Sequence, residues 1–412
     1  MQALSFEQAP PPSVPLRFFL TAPAFLMLAG VLLMVSGREV FASRWTPAAL
    51  ALTHLLTVGF MLQVMLGALF QIMPVAIGAN LPALGRLARA VHVAVTFGAV
   101  LLVGGFYWGL GGLLVPGGAL ILGAVAVFCV VALRALWHTP VHSGTVVALR
   151  WAIAWLGATV GLGFTMALAR SGHADVAVLG WSSVHVAVGL GGWGGLLVAG
   201  TAYLVVPMFQ LTPAYPTWFV RGFAPAVALA LIAGSALDSA YGWLPLLAVA
   251  SAFALMTLDR QRRRRRARAD TTLRLWRLAM GCVVAGSVAG AIASLRHWPE
   301  TALMSGGVVL WGAYVSLIVG MLYKIVPFVL WLHLQPRLAN VPPMTRMLDD
   351  ALIRWHWRAH LLALGLLLIS PLQSSAGLVA GAVVTISAAL LALQLVGVTR
   401  QARRALARAQ AS

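Results

Sequence analysis

The chain has 412 residues, 61% of them hydrophobic and only 9% charged, with a net charge of +19. Soluble domains carry roughly 25% charged residues, so the composition excludes a soluble globule and leaves no room for a soluble catalytic domain. The sequence predicts an all-α polytopic membrane protein, a single membrane domain over residues 1–412 in which any chemistry lies inside the bundle or at its two faces.

Twelve apolar stretches are long enough to cross a bilayer, which takes about 20 residues each. They cover 14–35, 47–73, 87–108, 113–136, 145–168, 181–206, 219–237, 242–258, 275–295, 301–326, 355–369 and 378–398. The first follows Glu7 and a proline cluster and has no small-residue cleavage site behind it, so it is expected to be an uncleaved helix. The second carries His54 and ends in "GALFQIMP", Gly67 to Pro74. The third begins with His92 near its start, and the loop "WHTPVHSG" after the fourth holds His138 and His142. The sixth carries His185 and ends in "GTAYLVVP", Gly200 to Pro207. Between the eighth and ninth lies "RQRRRRRARAD", Arg260 to Asp270, within a basic loop 259–274. The tenth ends in "GMLYKIVP", Gly320 to Pro327, and contains Lys324, the one lysine of the chain. His333 is expected just beyond it, at the interface. The eleventh opens with "RWHWRAH", in which His356 and His360 form an i, i+4 pair of the kind that can share a metal; with no third ligand evident and Trp and Arg around it, the pair reads as an interfacial aromatic belt. His173 and His297 fall in loops. Cys129 and Cys282 both fall inside helices and read as packing residues, since two such cysteines give no disulfide framework.

Arginine placement sets the topology. With both termini cytoplasmic, 23 of the 27 arginines lie inside and only Arg38, Arg44, Arg170 and Arg296 outside, as the positive-inside rule requires. The net charge follows from this arrangement and calls for no nucleic acid. The basic run reads as a topology anchor against anionic headgroups, and the lipid bilayer is the expected partner, in a bacterial-type inner (plasma) membrane.

The three quoted segments share one frame: Gly, two residues, an aromatic, three residues, Pro. They recur in the second, sixth and tenth helices, so the sequence predicts three quasi-repeats of four helices, 14–136, 145–258 and 275–398. Each frame proline is expected to kink or stop its helix. His54 precedes its frame glycine by thirteen residues and His185 by fifteen, whereas Met304, Ser305, Gly306 and Gly307 occupy this region of the tenth helix. At 1.5 Å per residue both imidazoles lie about 30 Å from their prolines, in the outer part of the membrane. Intramembrane imidazoles are functional candidates, and haem iron or copper are the partners best matched to them. The structural alternative for each is a neutral imidazole bonded to a neighbouring helix. Lys324 reads as an amine snorkelling to the headgroups, or as a titratable or anion-contacting group at an inner cavity. No carboxylate lies mid-membrane, which argues against proton-coupled transport and removes any paired-carboxylate hydrolase.

"THLLTVGFMLQVMLGALFQIMPV" and "SSVHVAVGLGGWGGLLVAGTAYLVVPMF" resemble the His-bearing helices of haem–copper oxidase subunit I, in particular its cbb3 and nitric-oxide-reductase branches, and the resemblance extends over the chain by topology. It implies a low-spin haem on His54 and a copper on His185. The sequence departs from the family in three places: the tenth helix has no His, the seventh lacks the family's His pair, and the position four residues after His185 is Gly189 where some members have Tyr. A competent oxygen or nitric oxide reductase is therefore not expected. The resemblance points instead to non-catalytic relatives that bind haem or copper in a respiratory, redox, metal-handling or NO-response setting, with a respiratory-chain or redox partner, and more distantly to NnrS-like proteins. Two further readings stand beside it, a cofactor-free transporter or permease with Lys324, His54 and His185 along its path, and a structural or assembly subunit.

Overall fold

The structure, a computed structural model, describes residues 6–411 except Asp238, residues 266–268, His297, Ala339, Pro342 and Ser374. The described residues form helices and connecting turns, with twelve helices long and apolar enough to span a membrane. They are α1 Ser13–Val40, α2 Pro47–Ile77, α3 Leu84–Tyr107, α4 Gly111–His138, α5 Gly144–Arg170, α6 Val178–Gln210, α7 Thr217–Ala236, α8 Tyr241–Arg262, α9 Thr271–Arg296, α10 Glu300–Leu334, α11 Asp350–Ile369 and α12 Ala376–Ala409. Every predicted stretch falls on one of them. The helices outrun the predicted stretches because polar first and last turns are helical too.

Local sequence explains the ends. Thr46 caps α2, its hydroxyl accepting from Ala49 N at 3.2 Å with Pro47 in the first turn. Ser143 does the same for α5 through Val146 N, and Asp349 for α11 through Ala351 N and Leu352 N. α2 closes on Gly78, whose φ of +66° is the left-handed conformation that glycine supplies at a helix end.

Three helices form the middle of the bundle. The buried share of the apolar window is 83% in α2, 67% in α10 and 61% in α6, against 22% in α5 and α8. The others pack around these three, with large apolar side chains such as Phe97, Val130, Leu229 and Leu362 facing outward. In lipid such exposure costs nothing, so helix association rests on close packing rather than on removal of apolar surface from water. The ring closes between the first and last membrane helices. A Cβ on Gly30 of α1 would lie 2.6 Å from Gly381 O of α12, and one on Gly381 would lie 2.5 Å from Gly30 O. The next contact along, Gly37 against Gly377, shows that the two helices run antiparallel.

The frame prolines do not stop their helices. α2 continues to Ile77, α6 to Gln210 and α10 to Leu334, so Pro74, Pro207 and Pro327 are internal. Proline removes the hydrogen bond to the carbonyl four residues back. In each frame that carbonyl belongs to the aromatic: Phe70, Tyr203 or Tyr323. His333 consequently lies within α10, its Nδ1 donating to Val329 O at 3.0 Å, and not beyond the helix.

Candidate functional site

Each central helix widens once into two turns of π-helix, at Leu55–Leu62, Val188–Gly195 and Val308–Val315. π-helical segments are rare and gather at functional sites. The register is the same in all three: the frame glycine comes twelve residues after the first π residue, at Gly67, Gly200 and Gly320. A second glycine, four residues into each π segment, extends the frame: Gly59, Gly192 and Gly312.

These glycines set helix approach. A Cβ on Gly59 would meet Phe25 of α1 at 2.5 Å, on Gly192 Trp155 of α5 at 2.9 Å, and on Gly312 Cys282 of α9 at 2.6 Å. One turn group further on, Gly67 faces Phe18 (2.8 Å), Gly200 faces Ala148 (2.9 Å) and Gly320 faces Leu275 (3.1 Å). The frame is thus the seam along which each central helix is laid against the helix before it. The π segments of α6 and α10 also touch, the Tyr314 hydroxyl donating to Leu190 O.

His54 is the last residue before its π segment. Its Nδ1 donates to Leu50 O at 2.8 Å, and its ring stacks on Phe106 of α3 with centroids 4.7 Å apart. A neutral imidazole that donates through Nδ1 keeps the lone pair on Nε2, the arrangement of a metal-ligating histidine with a carbonyl behind it. Arg170, near the end of α5, lies 5.9 Å from the Phe106 centroid. His185 stands three residues before its own π segment, with Nδ1 buried and without a hydrogen bond. Gly163 of α5 makes room for the ring, since a Cβ there would lie 3.0 Å from His185 Cε1. The positions of the two histidines in the register differ by two residues.

α10 contributes no such ligand. Its residues at the two histidine registers are Ser305 and Gly307, and Ser305 spends its hydroxyl on Gly286 O at 3.0 Å. No described side chain from Glu300 to Gly307 is buried, so this end of α10 packs loosely. Two imidazoles, from α2 and α6, are the donor type that haem iron takes, with the orphaned Nδ1 of His185 and the Gly163 cradle as the local signs. No third His, Cys, Asp or Glu joins them among the described residues.

Lys324 has a carboxylate partner. Its Nζ lies 2.8 Å from Asp270 Oδ2, and Asp270 Oδ1 accepts from Leu273 N at 2.9 Å. The carboxylate caps α9 at its positive end, and the lysine ties α10 to that cap. At the same frame position α2 has Gln71, whose amide is buried with neither atom hydrogen-bonded, and α6 has Leu204.

The pair His356 and His360 is a correction. Trp355 and Arg358 do face outward, 5.0 Å apart as a cation–π pair, but the two histidines point the other way and are 1% and 0% exposed. They are core groups between α10 and α11, not part of an interfacial belt. His92 is bonded to Thr21 of α1 at 3.0 Å, and His138 and His142 are exposed with Nδ1 on Arg134 O and Pro140 O. His297 and the middle of the basic run lie outside the described residues. Arg265 N donates to Leu211 O at 2.9 Å, and the Arg260 guanidinium to Ala214 O, so the start of that run is held against the connection between α6 and α7. Cys129 and Cys282 are buried free thiols. No family model matches the chain, and no curated protein does.

Proposed function

We propose that the protein is an integral membrane haem protein of the haem–copper oxidase subunit I type, non-catalytic and serving a respiratory, redox, metal-handling or NO-response role in a bacterial-type inner membrane with both termini cytoplasmic. The observation that carries this reading is the state of His54: ring locked between Leu50 O and Phe106, lone pair left on Nε2, at the start of a π segment. In this reading His54 Nε2 is an axial ligand and His185 a second haem ligand or a metal ligand. The Leu50 carbonyl keeps the His54 proton on Nδ1 and raises the basicity of Nε2. Phe106 restricts ring rotation, and Gly163 leaves the space in which His185 sits. A bound haem would supply one-electron transfer or binding of a diatomic gas. The permease reading ranks second because the amine it would use is already paired with Asp270.

The test is an absorption spectrum of the detergent-purified protein from haem-replete cells, oxidised and dithionite-reduced, with metal analysis of the same sample. A Soret band that is lost in His54→Ala supports the reading. A colourless protein without stoichiometric iron or copper overturns it and returns attention to transport.

A further inference from the structure

The geometry points to a second, separate site: a Cu(I) ion held by His356 and His360 of α11, beside the Tyr323 hydroxyl of α10. The site does not depend on His54 or His185.

The first observation is polarity without partners. His356 Nδ1, His360 Nδ1 and Tyr323 Oη are all buried and make no hydrogen bond, on residues 1%, 0% and 3% exposed. Buried polar groups are normally satisfied, and each exception calls for a cause. Three other helical histidines, His54, His138 and His333, each place Nδ1 on the carbonyl four residues back, while His185 Nδ1 is orphaned as these two are. His356 and His360 forgo that bond.

The second observation is a hydroxyl partner. Ser316 Oγ lies 2.7 Å from His360 Nε2 and 3.3 Å from Trp311 O. With its proton on Trp311 O the hydroxyl accepts from Nε2–H, and this is the tautomer that a metal on Nδ1 requires. A ring nitrogen with its lone pair free, backed by a second nitrogen held on a hydroxyl, is how metal-ligating histidines are oriented. Trp311 stacks on the same ring at 5.0 Å and its Nε1 donates to His360 O at 3.2 Å, which restrains α11 at this level.

The third observation is proximity. The two imidazoles are one helical turn apart with centroids 5.8 Å from each other, and the Tyr323 ring lies edge-on to His356 at 5.7 Å. Histidines at i and i+4 on one helix face form a two-toothed clip for a metal. The donors are neutral, and no third His, Cys, Asp or Glu joins the pair among the described residues, so an ion of the lowest charge has the smallest desolvation cost there. Imidazole suits copper among the transition metals. The pair faces one acid–base neighbour from α10, Tyr323; Lys324, next in sequence, is engaged with Asp270.

The test is anaerobic titration of purified full-length protein with Cu(I) against a chromogenic Cu(I) chelator. The wild type is expected to retain about one equivalent beyond any held at His54 and His185, so His54→Ala/His185→Ala keeps it and His356→Ala/His360→Ala loses it. Ser316→Ala, which releases the tautomer without removing a ligand, is expected to weaken binding about 10-fold or more. Copper X-ray absorption of the loaded wild type, which needs no variant to fold, is expected to show scattering from two imidazoles. The proposal is overturned if the wild type retains no more Cu(I) than His356→Ala/His360→Ala, if His54→Ala/His185→Ala abolishes all binding, or if the absorption spectrum shows fewer than two imidazoles.

Discussion

Replacing Gly30 with Ala should loosen the seam that joins the first and last membrane helices. The new Cβ would sit 2.2 Å from Thr385 Oγ1, 2.6 Å from Gly381 O and 2.7 Å from Thr385 N. The hydroxyl can rotate away, but the other two atoms are backbone. To restore ordinary contact the helices must part by about 0.8 Å, and a gap of that size forfeits about a quarter to a half of the dispersion between facing atoms. Overpacking of this kind costs about 1–3 kcal/mol, and two rigid backbone obstacles put Gly30→Ala at the upper end. Gly123→Ala on α4 is the control: nothing lies within 4 Å of its Cβ, so the substitution should be neutral or should gain up to about 1 kcal/mol of helix propensity. Because unfolding of membrane proteins in detergent is commonly irreversible, the readout is the half-life of the monodisperse species at fixed temperature. Gly30→Ala should shorten it at least about fivefold, the factor that corresponds to 1 kcal/mol. Gly30→Ala/Gly381→Ala should be less than additive, since one separation relieves both clashes. Equal half-lives for Gly30→Ala and Gly123→Ala would refute the reasoning.

The same assay should rank the central seam by distance, with Gly59→Ala (2.5 Å to Phe25) more damaging than Gly320→Ala (3.1 Å to Leu275); a reversed order would count against the frame as a packing device. Lys324→Met should cost less than about 1 kcal/mol, because both partners of its ion pair are partly exposed, at 24% and 30%. Asp270→Ala should cost about 1 kcal/mol more than Lys324→Met, since it also removes the cap of α9; thermal half-lives of the two variants decide this. If His185 is a ligand, Gly163→Val should displace its ring and shift or bleach the visible spectrum while leaving helical circular dichroism intact. An unchanged spectrum would remove His185 from the site.

Hydropathy carried most of the fold because in a bilayer the length of an apolar run and the position of arginine are physical requirements. The histidines at 54 and 185 were legible for the same reason, as polar groups where polarity is expensive. What escaped was whatever depends on facing. The second frame glycine stands in plain view in "GFMLQVMLGALFQIMP", "GWGGLLVAGTAYLVVP" and "GAYVSLIVGMLYKIVP", but glycine is so abundant in this chain that only the contact with Phe25, Trp155 or Cys282 distinguishes it. The π segments leave no compositional mark. Trp355 and Arg358 made the start of α11 look interfacial, and a helix has another face on which His356 and His360 turn inward. Lys324 was read by itself because its partner, Asp270, lies 54 residues away at the tip of a different helix.

The meeting of α1 with α12 at Gly30 and Gly381 has a consequence for biosynthesis. α1, made well before α12, meets its backbone at Gly30 and Gly381. Until α12 is made, the glycine face of α1 has lipid where its partner will be, and the bundle has an open side through the synthesis of more than 300 residues. Closure is therefore a late, long-range event of the kind that slows folding. A chain stopped before α12 should be retained in the membrane yet degraded quickly, and supplying α12 as a separate peptide should rescue it.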